Sequence, residues 1–309
     1  MFKKLLKFLF RLILLAAIIG IPCWWMIQRS YHDPEAHYYS TEETMGDEAL
    51  RFVVLSDLNG YVFDGGGSQI VETVASVSPD AILMNGNMVK GSAGSVSSLI
   101  GMVERLSQIA PVYYAYGDQE YLYVSDGAYN RSTRARTETE KEQEFDRQLS
   151  EAGAAVLKNS YEDVRLYGIR VRIGGTDGAP NDVIMGNGNV NPVQERFYGF
   201  LKDFEDTKSY KILLDNNVEH VLGDTDGTLS GTNLVVCGHL IGGRVVIPHF
   251  GGVFGGSQGY FPPYTRGIKE VDGCKILLTT GLSVPDDGDL PRFNNPPEIA
   301  ILDVSGLKR

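Results

Sequence analysis

The chain has 309 residues, 43% hydrophobic and 22% charged, enough to bury the core of one large domain or two small ones. Its net charge is −11, but residues 1–30 carry five basic and no acidic side chains, which leaves −16 on the remainder. A domain this acidic repels the nucleic-acid backbone and excludes a nucleic-acid partner; it repels a phosphate-bearing ligand too, unless a bound cation offsets the field locally.

Residues 1–30 stand apart. Lys3, Lys4, Lys7 and Arg11 precede the uncharged stretch Leu12–Ile27, with Trp24 and Trp25 near its far end. Basic flanks stay cytoplasmic and tryptophans settle at the bilayer interface. The pattern therefore predicts a single-pass anchor in the cell membrane, spanning about residues 8–27, N-terminus in, with the domain outside the cytoplasm. The uncharged run is short, but Phe8 to Phe10 and a snorkelling Arg11 extend it. No small-x-small cleavage site follows, so an uncleaved anchor is expected rather than a removed signal peptide. The alternative, a buried core helix, fits the flanks poorly. Cys23, behind Pro22, reads as a passive membrane thiol.

Residues 31–49 are polar and acidic and read as a linker, with His32 and His37 inside it; the domain is expected over 50–309. There, strand patterns alternate with helical ones, the sign of an α/β architecture. Strands are expected at Arg51–Ser56, Ala81–Met84 and Val112–Tyr116, with amphipathic helices at Gln69–Val77 and Leu99–Ile109 between them. Glu138–Glu151 mixes both charge signs at helical spacing, which a solvated helix face explains. Val164–Ile173 reads as a strand pair around Gly168, Asp177–Pro192 as a Gly- and Asn-rich loop, and Phe197–Phe204 as a short helix. Lys211–Leu214, Asn233–Cys237, Val245–Ile247, Lys275–Thr279 and Glu298–Val304 complete the strands. Cys237 and Cys274 are expected as two buried thiols.

Five apolar strands run directly into loops that hold carboxylate, amide or imidazole groups. These are Asp57 and Asn59; Asn87; Asp118 and Gln119; Asp215 and Asn216; and His239. In an α/β sheet the loops beyond the strands' carboxyl ends can converge on one site. Alone, Asp57 would read as a turn cap.

The order Ser56-Asp57-Leu58-Asn59-Gly60, Asn85-Gly86-Asn87-Met88, Gly117-Asp118-Gln119-Glu120-Tyr121, Leu214-Asp215-Asn216, Gly238-His239-Leu240-Ile241-Gly242-Gly243, together with the tail Pro291–Glu298, resembles the calcineurin-like metallophosphoesterases over residues 50–304. The match is to a membrane-anchored, extracytoplasmic subgroup. The resemblance implies two facing mixed β-sheets flanked by helices, a four-layer sandwich, and hydrolysis of phosphoesters or phosphodiesters, on lipid-linked or envelope substrates. It also implies a two-metal centre in which a shared carboxylate bridges the cations and activates water.

The departures are specific. The first metal's slots hold Asp57, Asn59 for His, Asn87 for the bridging Asp, and Ile241 for His. The second metal's slots hold Asn87, Asp118 for Asn, Asn216 for His, and His239. Such a set predicts no two-metal centre and at most one divalent ion, Mn²⁺, Mg²⁺ or Ca²⁺ rather than Zn²⁺, because its donors are mainly oxygens. Gln119 stands in the slot of the histidine that protonates the leaving oxygen, and an amide supplies no such proton. Only five histidines occur, and His220 and His249, the two outside linker and motif, are expected on loops. The glycine-rich stretch 251–260 reads as a structural loop, and Tyr260, Phe261 and Tyr264 as packing residues. The expected function is a catalytically impaired member of that family acting on a phosphate-containing small molecule or lipid. The alternative is a pseudoenzyme that serves as a membrane-tethered binding or scaffolding module. The sequence names no protein partner.

Overall fold

The structure, a computed structural model, describes residues 2–32, 34–90, 93–125, 138–180, 184, 192–223, 229–284 and 290–308. Near-continuous apolar runs make strands that are buried on both faces, and two sheets result. The first has the order β1 (Glu35–Glu42), β14 (Glu298–Leu307), β2 (Glu48–Leu55), β3 (Ala81–Asn85), β4 (Val112–Ala115), β5 (Ala154–Leu157). The second runs β12 (Gly267–Val271), β13 (Cys274–Leu278), β9 (Leu234–Cys237), β8 (Tyr210–Leu214), β7 (Ile169–Gly175), β6 (Ser160–Leu166). A small ribbon pairs β10 (Val246–Ile247) with β11 (Gly251–Gly252).

Alternate residues of each strand serve opposite layers. Phe52, Val54, Leu83 and Ala115 of the first sheet meet Val171, Ile173, Ile212 and Val236 of the second in one buried cluster. The intervening residues Val53, Leu55, Ile82 and Met84 pack outward in a cluster with residues of α2 (Asp64–Val77), α3 (Ala93–Ser107), α4 (Asp118–Ser125) and α5 (Glu140–Glu151). On the far side, Leu213, Val235 and Ile276 lie beneath α6 (Pro192–Glu205) and α7 (Val218–Leu222). The fold is therefore two facing mixed sheets flanked by helices, as expected. Strands β2 to β5 are mutually parallel, as are β7, β8, β9 and β13. Their carboxyl-end loops meet at one end of the sandwich, where Asn85 Nδ2 donates to Val236 O across the two sheets (3.0 Å). Cys237 and Cys274 are buried thiols that form no disulfide. Residues 181–183 and 185–191 of the expected Gly/Asn-rich loop lie outside the described residues.

The N-terminal helix α1 (Phe2–His32) is long and apolar enough to cross a membrane and is not buried against the domain. The stretch expected as a linker differs from that reading. Residues 35–42 form an edge strand parallel to β14, from Glu35↔Glu298 to Glu42↔Ser305. Inward-facing Glu35, His37, Tyr39 and Thr41 alternate with exposed residues. That period-two pattern is polar at an edge, so composition conceals it. His37 is held in place by Arg266, whose guanidinium lies 2.7 Å from Nδ1. Tyr39 donates to the buried Glu298 (2.6 Å). The helix α1 is therefore joined to the sheet with little slack: Asn295 N donates to Ser30 Oγ (3.0 Å), and Arg29 pairs with Glu35.

Arg292 secures the turn that follows β13. It is fully buried, and its guanidinium donates to the carbonyls of Thr280 (2.6 Å), Gly281 (2.8 Å), Asn295 (3.1 Å) and Pro296 (3.1 Å). Gly281 packs directly on Asp57, where a Cβ would come 2.6 Å from the aspartate's own. Burial pulls the guanidinium pKa down, against the nearby charges of Asp57 and Glu298. Arg292→Met strands four buried carbonyls and is expected to cost about 3–5 kcal/mol. Chemical denaturation of the full chain in detergent measures this.

Candidate functional site

Six of the thirteen non-glycine residues with positive φ among the described residues lie in the converging loops: Asp57, Asn59, Asn87, His239, Ile241 and Arg244. Asn, Asp and His visit this region at modest cost, but a β-branched residue such as Ile241 (φ 49°) does so rarely. Strain concentrated in this way marks a site whose geometry the surrounding structure enforces. The loops also touch backbone to backbone, since a Cβ on Gly86 would overlap Gly117.

Asp57 sits fully buried at the centre. Ser56 Oγ donates to its Oδ2 (2.7 Å), the His239 N–H to both oxygens (3.1 and 3.0 Å), and Asn87 and Asn216 to Oδ1 (3.2 Å each). Burial raises its pKa, opposed by the Ser56 hydrogen bond and by His239 and Asn216. Asn87 is oriented from behind: Gln119 N–H donates to its Oδ1 (3.0 Å), which turns Nδ2 inward. That Nδ2 lies 2.7 Å from Asn216 Oδ1, 3.2 Å from Asp57 Oδ1 and 3.3 Å from His239 Nδ1. An amide NH₂ has two hydrogens, which the two oxygens can take up, and His239 Nδ1 competes for them only when that nitrogen is unprotonated.

Two cations with a shared bridge do not fit these residues. The bridging slot presents a hydrogen-bond donor, and the oxygens that would hold metal are already bonded to that donor. Ile241 contributes hydrocarbon. Asp118 and His239 are the remaining pair suited to one ion: Nδ1 is 3.7 Å from Asp118 Oδ1, a buried oxygen with no hydrogen-bond partner among the described residues. Asn216 Oδ1 is already taken by Asn87. An acidic trio elsewhere, Glu138, Glu142 and Asp146, has its cation built in, because Lys158 Nζ pairs with all three.

Asn59, Asn87, Gln119, His239 and Ile241 line one cleft of about 280 Å³, together with Lys90 and Arg244. Asp57, Asp118 and Asn216 stand behind it. Sequence reasoning passed over both cations, although Arg244 directly follows the quoted Gly242-Gly243 and Lys90 follows Asn87 by three residues. It also assigned nothing to Glu120. That carboxylate is fully buried and accepts from the N–H groups of Asn87 (2.7 Å), Met88 (2.6 Å), Val89 (3.1 Å) and Gly117 (2.8 Å), and from Tyr114 OH (2.9 Å). It ties the loops after β3 and β4 into one unit. His220 is likewise not on a loop: it is buried on α7 with Nδ1 3.0 Å from the Asp215 carboxylate. His249 is exposed, and the His32 side chain lies outside the described residues.

Asn87→Asp turns the central donor into a third acceptor. It is expected to cost about 2–3 kcal/mol in chelator and to regain part of that in Mn²⁺, a larger Mn²⁺ response than the unmodified chain gives. Denaturation in EDTA and in Mn²⁺ measures both. For His220, burial lowers the pKa, but the charge and hydrogen bond of Asp215, with Asp177 and Glu219, raise it further. The folded state thus holds this proton more tightly than the unfolded chain. The pair stabilises fully below pH ~6.5, and the gain is lost as pH rises through the folded value. His220→Gln should flatten that part of the stability profile, the fall above about pH 6.5.

No family model and no curated protein matches the sequence. Similar solved structures include phosphopantetheinyl hydrolase from Mycobacterium tuberculosis (11% identity, 75% of this chain and 88% of that one, TM-score 0.41). A 5'-nucleotidase precursor from Thermus thermophilus is also similar (14% identity, TM-score 0.47); the match covers 84% of this chain and 55% of that one. A dimetal phosphatase from Danio rerio has 10% identity over 76% of this chain and 89% of its own, with a TM-score of 0.39. Phosphoester-cleaving enzymes are thus among the structures this chain is similar to.

Proposed function

We propose that this chain is a membrane-tethered binding module on a phosphoesterase-like fold, which holds a phosphate-bearing ligand without hydrolysing it. The observation that carries this reading is the Asn87 amide, whose Nδ2 bonds to Asp57 and Asn216 where the two-metal chemistry needs a bridging carboxylate. Gln119 at the cleft cannot protonate a leaving oxygen. Losing the metal pair and the acid each removes several kcal/mol of transition-state stabilisation. What remains is a polar cleft with Lys90 and Arg244 in its wall, local cations that offset the field of an acidic domain. The helix α1 supplies the tether, and Lys3, Lys4, Lys7 and Arg11 keep its N-terminus in the cytoplasm with the domain outside.

A second reading, a weakened one-metal phosphoesterase, draws on the unpartnered Asp118 Oδ1 beside His239. The two are separated by turnover of a chromogenic phosphodiester by the full chain in detergent with Mn²⁺, beside His239→Ala. The binding-module reading expects no metal-dependent rate in either protein. It also expects glycerol phosphate to bind with 1:1 stoichiometry by calorimetry, about tenfold more weakly to Arg244→Ala, a loss of ~1.4 kcal/mol. A Mn²⁺-dependent rate that vanishes in His239→Ala establishes the hydrolase instead.

A further inference from the structure

The loop from Val245 to Phe261 borders the cleft and exposes large apolar side chains. Phe250, at the turn joining β10 and β11, is 75% exposed, Tyr260 is 77% and Phe261 54%. Ile247 is exposed beside them. Tyr260 and Phe261 are thus surface residues and not the packing residues the sequence suggested. The rim is continuous with the cleft: Phe254, a cleft residue, stacks edge-on against Tyr260 at 6.1 Å.

The same loop is wired to the end of the anchor. Asn295, whose N–H bonds to Ser30 of α1, donates through Nδ2 to Ile241 O (2.9 Å) and Arg244 O (3.2 Å). Asn294 Nδ2 donates to Val246 O (3.2 Å), and Val246 N–H to Phe293 O (3.0 Å). Val253 then bonds back to Val245, and Phe261 to Val253. Ser30 is five residues beyond Trp25, whose ring carries the Arg29 guanidinium at 5.5 Å. At 1.5 Å per residue, the Ser30–Asn295 contact stands only about 8 Å above the tryptophan level. Tryptophan marks the interface of a bilayer crossed by α1, so the junction from which the loop is held lies close to headgroup depth.

Charge agrees. A chain with 39 acidic residues has none from Gly227 to Lys269, which includes this loop. The segment carries Arg244, Arg266 and Lys269 instead. A segment with no carboxylate of its own, with exposed aromatics and cations, suits the bilayer interface, where amphipathic rings lie among headgroups. A carboxylate from outside it, Glu219, reaches the loop at Gly256. Apolar side chains clustered this way on an otherwise acidic domain mark an interaction site.

We propose that the rim formed by Ile247, Phe250, Tyr260 and Phe261 is a second membrane contact, inserted in the bilayer that α1 crosses, so that the cleft opens onto headgroups. The inference rests on the reading of α1 as a membrane span. A lipid phosphate then enters the cleft from the plane of the membrane.

The test places an environment-sensitive fluorophore on the full chain in phosphatidylcholine bilayers, at position 250 of Cys23→Ser/Phe250→Cys and, separately, at 261 of Cys23→Ser/Phe261→Cys. The control is Cys23→Ser/Tyr167→Cys: Tyr167 is 76% exposed, in the β6–β7 turn at the opposite end of the second sheet. Nitroxide-bearing lipid quenches whatever lies in the bilayer, including Trp24 and Trp25. The expected result is quenched tryptophan together with label quenching at 250 and 261 more than about twofold greater than at 167. Quenched tryptophan with labels at 250 and 261 no more quenched than at 167 overturns the second contact and leaves the anchor standing. Unquenched tryptophan removes the anchor reading, and the second contact falls with it.

Discussion

The loops at the active end of this sandwich are held together through one amide. Asn87 is fixed from behind by the Gln119 N–H and projects Nδ2 toward Asp57, Asn216 and His239, which come from the ends of β2, β8 and β9. A divalent cation there would organise the same groups through a strong field and would require their charges to balance it. The amide does so with two hydrogens and no charge. Asp57 then remains the lone carboxylate of the inner site, and its burial is tolerable because Ser56, Asn87, Asn216 and the His239 N–H all donate to it. The positive φ values at Asp57, Asn87 and His239 are sustained by the same network. A neutral donor substituting for metal thus accounts for geometry, strain and electrostatics together.

Much of this was legible because it depends on pattern. Apolar runs that end in polar clusters are buried parallel strands, and their order placed Asp57, Asn87, Asn216 and His239 in one neighbourhood. What escaped the sequence depends on partners far along the chain. Residues 35–42 look like a solvated linker until β14 is set beside them, because an edge strand buries too little to need apolar residues. His220 reads as an ordinary polar residue, since nothing local shows that α7 will press it against Asp215. The role of Glu120 was hidden by its neighbours: a carboxylate beside a degenerate metal motif draws attention to charge, whereas its work is to gather four N–H groups and a tyrosine hydroxyl from two loops. Asn87 was visible as a departure, but the direction its amide faces is decided by the Gln119 backbone.

Electrostatics divides the molecule more sharply than net charge suggests. The acidic majority is dispersed over helices and edge strands, as in the Arg147 pairs with Glu144 and Glu151 on α5, which are exposed and contribute little to stability. The segment between Gly227 and Lys269 has no carboxylate at all, and the cleft wall adds Lys90. A domain whose mean field repels anions therefore places cations in the wall of its cleft, where they offset that field.

Topology brings that approach and α1 to the same end of the molecule. Strand β14 runs antiparallel to β2, so its first residue, Glu298, lies at the end where β2 delivers Asp57. Strand β1 is parallel to β14, so it too begins at that end, with α1 immediately before it. The helix α1 and the cleft are thus placed on the same side by strand direction, independently of any side chain in either. Inverting β1 would leave the cleft chemistry untouched and carry α1 to the opposite end of the sandwich. The polar edge strand that looked like a spacer is the element that sets α1 beside the cleft.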